Sequence, residues 1–139
     1  MLRISPILSL LLLLLCGPAP ADPVADADCS QPQKAQRIIN HCSSLKYQTA
    51  QERLNVVYHH TLAALADSGD RDGLKASQSA WAAYRDAQCR LEAPPNRRGS
   101  MWSTVYTGCA RQLTEERIAQ LEFYLNCTLR ADESKCASK

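Results

Sequence analysis

The twelve residues QSAWAAYRDAQC, Gln78 to Cys89, decide the fold class of this chain. At 100° per residue, Leu74, Gln78, Trp81, Tyr84, Arg85, Gln88 and Cys89 share one side of a helix. Asp86 is expected on the opposite side, one turn before Arg90, as a solvent-facing i,i+4 pair. A tryptophan, a tyrosine, a fixed charge and a cysteine thus occupy a single stripe. An arginine on such a stripe must find a partner or reach water. The spacing favours Glu122 as that partner, at the edge of the last apolar stripe of the chain.

Outward from this segment, the helix is expected over about Leu74 to Glu92. Pro94-Pro95-Asn96 ends it, because proline lacks the backbone donor and clashes with a continuing helix. On the N-terminal side, Asp67-Ser68-Gly69-Asp70 reads as a turn. Before it, Tyr47, Ala50, Leu54, Val57, Thr61 and Ala64 recur by threes and fours as a second amphipathic helix. A short helix is expected from about Pro32 to Cys42. Ser100 is a plausible N-cap for another through Met101, Val105 and Cys109. Thr114 would then cap a last helix striped by Ile118, Leu121, Tyr124, Leu125 and Leu129. No segment alternates with period two. The expected fold is an all-α, disulfide-stapled bundle of two or three longer helices plus short ones.

The chain has 139 residues and opens with a basic Arg3, an apolar run Ile7–Leu15 and Ala19-Pro20-Ala21. That pattern is a secretory leader, expected to be cut after Ala21, and its apolar run is too short to serve as a mature span. Leu13-Leu14-Leu15-Cys16 also resembles a lipoprotein box, but Leu15 stands where a small residue belongs, so lipidation of Cys16 is the lesser reading. Residues 22–33 form an extended lead-in, 34–129 the helical domain, and 130–139 a polar tail.

Setting Cys16 aside leaves Cys29, Cys42, Cys89, Cys109, Cys127 and Cys136. An even number in an exported domain implies disulfides, and the absence of any CxxC spacing argues against zinc or thioredoxin-like chemistry. Fifteen pairings are possible. The sequential set Cys29–Cys42, Cys89–Cys109 and Cys127–Cys136 fits the helix plan and would tie the tail back.

The formal charge is +2, falling to +1 once Arg3 leaves with the leader. No basic face marks a nucleic-acid footprint. Catalytic spacings are missing too. His59 and His60 are neighbours pointing about 100° apart on a helix, His41 stands alone, and no GxSxG, HExxH or phosphate loop occurs. Neither an enzyme nor a cofactor is expected.

The set Asn40-x-Cys42, Leu54-Asn55-x-x-Tyr58, Gln78-x-x-Trp81-x-x-Tyr84-Arg85-Asp86-x-x-Cys89, Gly99-Ser100, and Cys109 with Leu113-Thr114-x-x-Arg117 resembles the LprI-like lysozyme inhibitors. The likeness covers about Cys29 to Leu125. It implies a small bacterial protein, periplasmic or secreted, and inhibition of a lysozyme or another peptidoglycan hydrolase. The family pattern would place an acidic residue near Ala50-Gln51, and neither of those two residues is acidic. No inhibitory residue follows from the resemblance. From the residues themselves, the loop Glu92–Trp102 is the candidate binding surface. A Cys89–Cys109 bridge would staple it, and it carries Arg97, Arg98, Ser100 and Trp102. The alternative is a non-catalytic structural or assembly module that docks on another envelope protein through a helix face.

Overall fold

Three helices account for most of the described chain: α1 (Gln36–Ala64), α2 (Ser68–Glu92) and α3 (Trp102–Phe123), the last continued by a π-helical turn, Tyr124–Leu129. The computed structural model describes residues 24–25, 27–93 and 99–129. The leader with Cys16, the whole tail with Cys136, and Arg97 and Arg98 lie outside them. Asn40 bonds Thr104 and Ser43 bonds Thr107, while Arg53 reaches Glu122, so α1 and α3 run in the same direction. Gln78 and Cys89 of α2 meet Arg117 and Cys109 of α3, so α2 runs the other way between them in sequence. The result is an all-α bundle whose broadest interface joins α1 to α3.

Two expected helix boundaries do not exist. No glycine or proline interrupts residues 36–64, and α1 passes through Cys42 without a break. Thr114 is not a cap. It lies fully buried within α3, where its hydroxyl donates to the Ala110 carbonyl at 2.7 Å. Bonding back by one turn is how an interior threonine satisfies itself, so the residue type that favours caps also fits a core position. Thr61 does the same on α1, donating to Val57. Ser100 is likewise no cap, since Met101 holds that position and no side chain bonds there.

Helix α2 also starts a full turn and a half earlier than its stripe suggests. Asp67 caps it, its carboxylate accepting from the backbone N–H groups of Gly69 and Asp70 at 2.7 and 3.2 Å. The turn chemistry at 67–70 is therefore a helix start. Arg71 then closes the α1 end by donating to the carbonyls of Leu65 and Ala66.

Leu54, Val57, Ile118 and Leu121 form the core, with Tyr58, Leu74 and Trp81 packed against it. Complete burial of a leucine such as Leu54 contributes about 2 kcal/mol from apolar area alone. Helix α2 supplies few buried residues, only Arg85 and Cys89. Beyond the packing of Leu74 and Trp81 it is held by polar and covalent links, which is why its site residues matter for the fold.

Disulfides Cys29–Cys42 and Cys89–Cys109 are formed, the first drawing the lead-in onto α1 and the second joining the end of α2 to α3. Cys127 is disulfide-bonded as well. Its expected partner, Cys136, lies outside the described residues.

Candidate functional site

Trp81 and Arg85 are one turn apart on α2, so the helix itself brings the guanidinium over the indole, 5.0 Å from the ring centroid. The Tyr47 ring of α1 stands 5.7 Å from the same guanidinium. Between the two rings the arginine side chain keeps only 10% of its accessible surface. Its Nε and Nη2 donate to one oxygen of Asp86 at 3.0 and 2.9 Å, and its Nη1 donates to Gln51 Oε1 at 2.7 Å.

Glu122 is therefore not the partner. It pairs with Arg53 of α1 at 2.8 Å, at an exposed position where such pairs contribute less than about 1 kcal/mol. The expected Asp86–Arg90 pair gives way for the same reason. The long, flexible arginine stem lets the guanidinium reach the carboxylate of Asp86, the next residue in the chain, although the two Cα–Cβ vectors diverge. Tyr84, expected on the inner stripe, is 55% exposed. Helix α2 packs on one narrow side, and Tyr84 falls beyond its edge. Tyr47 feels this site: burial pushes its phenol pKa up, partly offset by the Arg85 charge, with smaller upward contributions from Asp86 and Tyr106.

The second candidate region is the junction between α2 and α3. Cys89 is fully buried in its bridge to Cys109, and the Ala93 N–H closes α2 on the Cys89 carbonyl. Trp102 is half-buried, stacks on Tyr106 with centroids 5.5 Å apart, and donates its indole N–H to the Ala93 carbonyl at 2.7 Å. The two ends of the 94–101 connection are thus pinned to each other. Asn40 adds a third pin by donating to the Ser100 carbonyl at 2.8 Å, while its own oxygen accepts from Gln36 and Thr104. Flanking the junction, Leu91 is 73% and Met101 56% exposed.

Spacing pointed to Trp81 and Arg85 but missed Tyr47 and Gln51, which belong to another helix. Tyr47 was visible only as one member of an apolar stripe. Asn40 carried a signal only through its place in a motif. His59 and His60 are exposed, and among the described residues no cluster of three metal-ligating side chains forms.

A family described as lysozyme inhibitor LprI matches residues 27–121, which takes in α1, α2, both described disulfides and most of α3. This chain belongs to the LprI lysozyme-inhibitor family. An uncharacterized protein of Rhizobium meliloti (strain 1021) is 35% identical over 123 residues, covering 79% of this chain and 88% of that one. No solved structure matches. In this LprI domain the matched region contains the Trp81–Arg85 centre and the pinned α2–α3 junction alike. Membership carries lysozyme-inhibitor-like function at the level of the family, and with the disulfides it suggests an extracytoplasmic protein. No helix among the described residues is long and apolar enough to cross a membrane.

Proposed function

We propose that this LprI protein is an exported, non-catalytic envelope protein, periplasmic or secreted, that blocks a peptidoglycan-cleaving enzyme. The surface proposed is the connection from Glu92 to Trp102. One observation carries the choice: the connection is clamped at both ends by Cys89–Cys109 and by the Trp102–Ala93 bond, and exposed Leu91 and Met101 stand beside the clamp. A pre-clamped segment loses less conformational freedom on docking, and exposed apolar groups at its feet add area to bury. In this arrangement Trp102 is a strut rather than a free anchor, because its indole is already bonded and stacked. Arg97, Arg98 and Ser100 are then the polar contacts offered to the enzyme, with Arg the residue type most suited to such a role.

With a net charge near zero, long-range attraction to a basic lysozyme is weak, so affinity rests on contact at the junction. Loss of turbidity of a bacterial cell-wall suspension, with lysozyme alone and with lysozyme plus this protein, tests the proposal. Slower clearing is the expected result. Unchanged clearing by every lysozyme tried would leave the helix-face assembly module as the better reading.

A further inference from the structure

Away from the junction, a groove of about 380 Å³ opens between the start of α2 and the end of α3. Gly69, Gly73 and Ser77 line it at four-residue spacing on α2, Leu74 and Leu121 form its apolar wall, and Arg117 of α3 faces it. Arg117 donates from Nε to Gln78 at 3.1 Å, from Nη2 to Ser77 at 2.9 Å and from Nη1 to Gln120 at 3.3 Å. All three acceptors are neutral. Among the described residues no carboxylate lies within ion-pair distance, although Asp70 also lines the groove. The guanidinium is half-buried, and that burial lowers its pKa. Two arginines thus approach Trp81, Arg85 at 5.0 Å and Arg117 at 6.0 Å, and among the described residues only Arg85 of the two has a counter-charge.

Gly73 is an independent observation. It lies inside α2, where glycine costs helix stability. A Cβ there would meet nothing within 4 Å, so no packing within this chain requires glycine. What the missing side chain leaves is open floor in the groove.

We propose that this groove is a binding site for a carboxylate, held by Arg117 and seated over Gly73. Among the described residues three of the five guanidinium N–H groups are used, leaving two, the number that one carboxylate accepts in a forked pair. The nearby Asp70 disfavours a doubly charged phosphate and leaves room for a monoanion. Leu74 and Leu121 accept the short apolar stem that carries the acid. An acidic side chain of a polypeptide and a free small carboxylic acid share this chemistry. The site is independent of lysozyme inhibition and stands or falls without it.

Amide and arginine Nε–H NMR of the labelled protein tests it. The probes are sodium acetate, an end-blocked peptide with a central glutamate, its glutamine counterpart, and inorganic phosphate. Acetate and the glutamate peptide should give saturable shifts at Gly73, Ser77 and Arg117, and the glutamine peptide none. Tighter binding of the peptide than of acetate assigns the site to a polypeptide acid, and equal binding assigns it to a free acid. Gly73→Leu fills the groove without touching Arg117 and replaces glycine with a strong helix former. It should raise the denaturant midpoint yet abolish the shifts, while Arg117→Lys, which lacks the fork, should weaken binding about tenfold. No saturable shift at millimolar carboxylate, shifts that survive Gly73→Leu, or phosphate binding as well as acetate would overturn the site.

Discussion

The Arg85 guanidinium of α2 donates to the side-chain oxygen of Gln51 on α1 at 2.7 Å, a neutral acceptor on the facing helix. The charge that Gln51 lacks comes from Asp86, next to the arginine on its own helix. Neutralisation and cross-linking are thus divided between two residues. Asp86 balances the ion, and Gln51 uses it to tie α2 to α1, an interface with little other packing.

Gln51→Leu should therefore destabilise the domain by about 1–3 kcal/mol, the cost of leaving a buried donor without an acceptor. Arg85→Ala should cost about 2 kcal/mol. That is below the 3–5 typical when a fully buried partner is stranded, because the Asp86 side chain keeps 35% of its surface and can rehydrate. Urea denaturation followed by circular dichroism measures both, and an unchanged midpoint for Gln51→Leu would show that the cross-link does not form.

Replacing Cys89 and Cys109 together by alanine should lower stability by about 3 kcal/mol or more, since the bridge closes a 20-residue separation and Cys89 is fully buried. Calorimetry should show a lower Tm with helix content retained. Inhibitory potency should fall further than the folded fraction does, because the clamp on the connection is lost with the bridge.

Arg97→Ala combined with Arg98→Ala should reduce any inhibition about thirtyfold, the equivalent of a 2 kcal/mol hot spot, and leave melting near wild type. Trp102→Ala should behave differently. It loses the stack on Tyr106 and the bond to Ala93, so its Tm should fall along with potency. A double arginine variant that inhibits as well as wild type would move the binding surface elsewhere.

The fold should also lose stability at high pH through Tyr47. Burial raises the phenol pKa in the folded state above its ordinary 10.0. A raised pKa means that the folded state holds the proton more tightly, so this contribution is complete below about pH 10 and is lost as pH rises through the folded value. Tyr47→Phe should flatten that alkaline slope relative to wild type, as followed by denaturation midpoints between pH 8 and 11, roughly spanning the titration.

Much of the bundle could be read from spacing. The stripe around Trp81 placed Arg85 inside, and the even cysteine count with its local order matches the two bridges described. Breaks were harder to read than helices. Ser100, Thr114 and Asp67–Asp70 all carry residue types that suit caps and turns, and the outcome differed at each because neighbouring packing differed. Only Asp67 caps a helix, with two free N–H groups ahead of it. Thr114 has its own Ala110 carbonyl within reach and a core around it.

Helicity, the placement of Trp81 and Arg85 on one stripe and the closure of short cysteine loops depend on residues near one another in the chain, and there periodicity and loop length suffice. The partners of Arg85, the pinning of Ser100 by Asn40 and the neutral acceptors around Arg117 depend on which helices approach and in which direction. Glu122 fits Arg85 by helical angle alone. The parallel course of α1 and α3 sets it beside Arg53 instead, and the antiparallel α2 brings Arg85 to Gln51 and Tyr47. Long side chains amplify that difference, since a guanidinium can reach several acceptors from one Cα, and only the packed neighbours select among them.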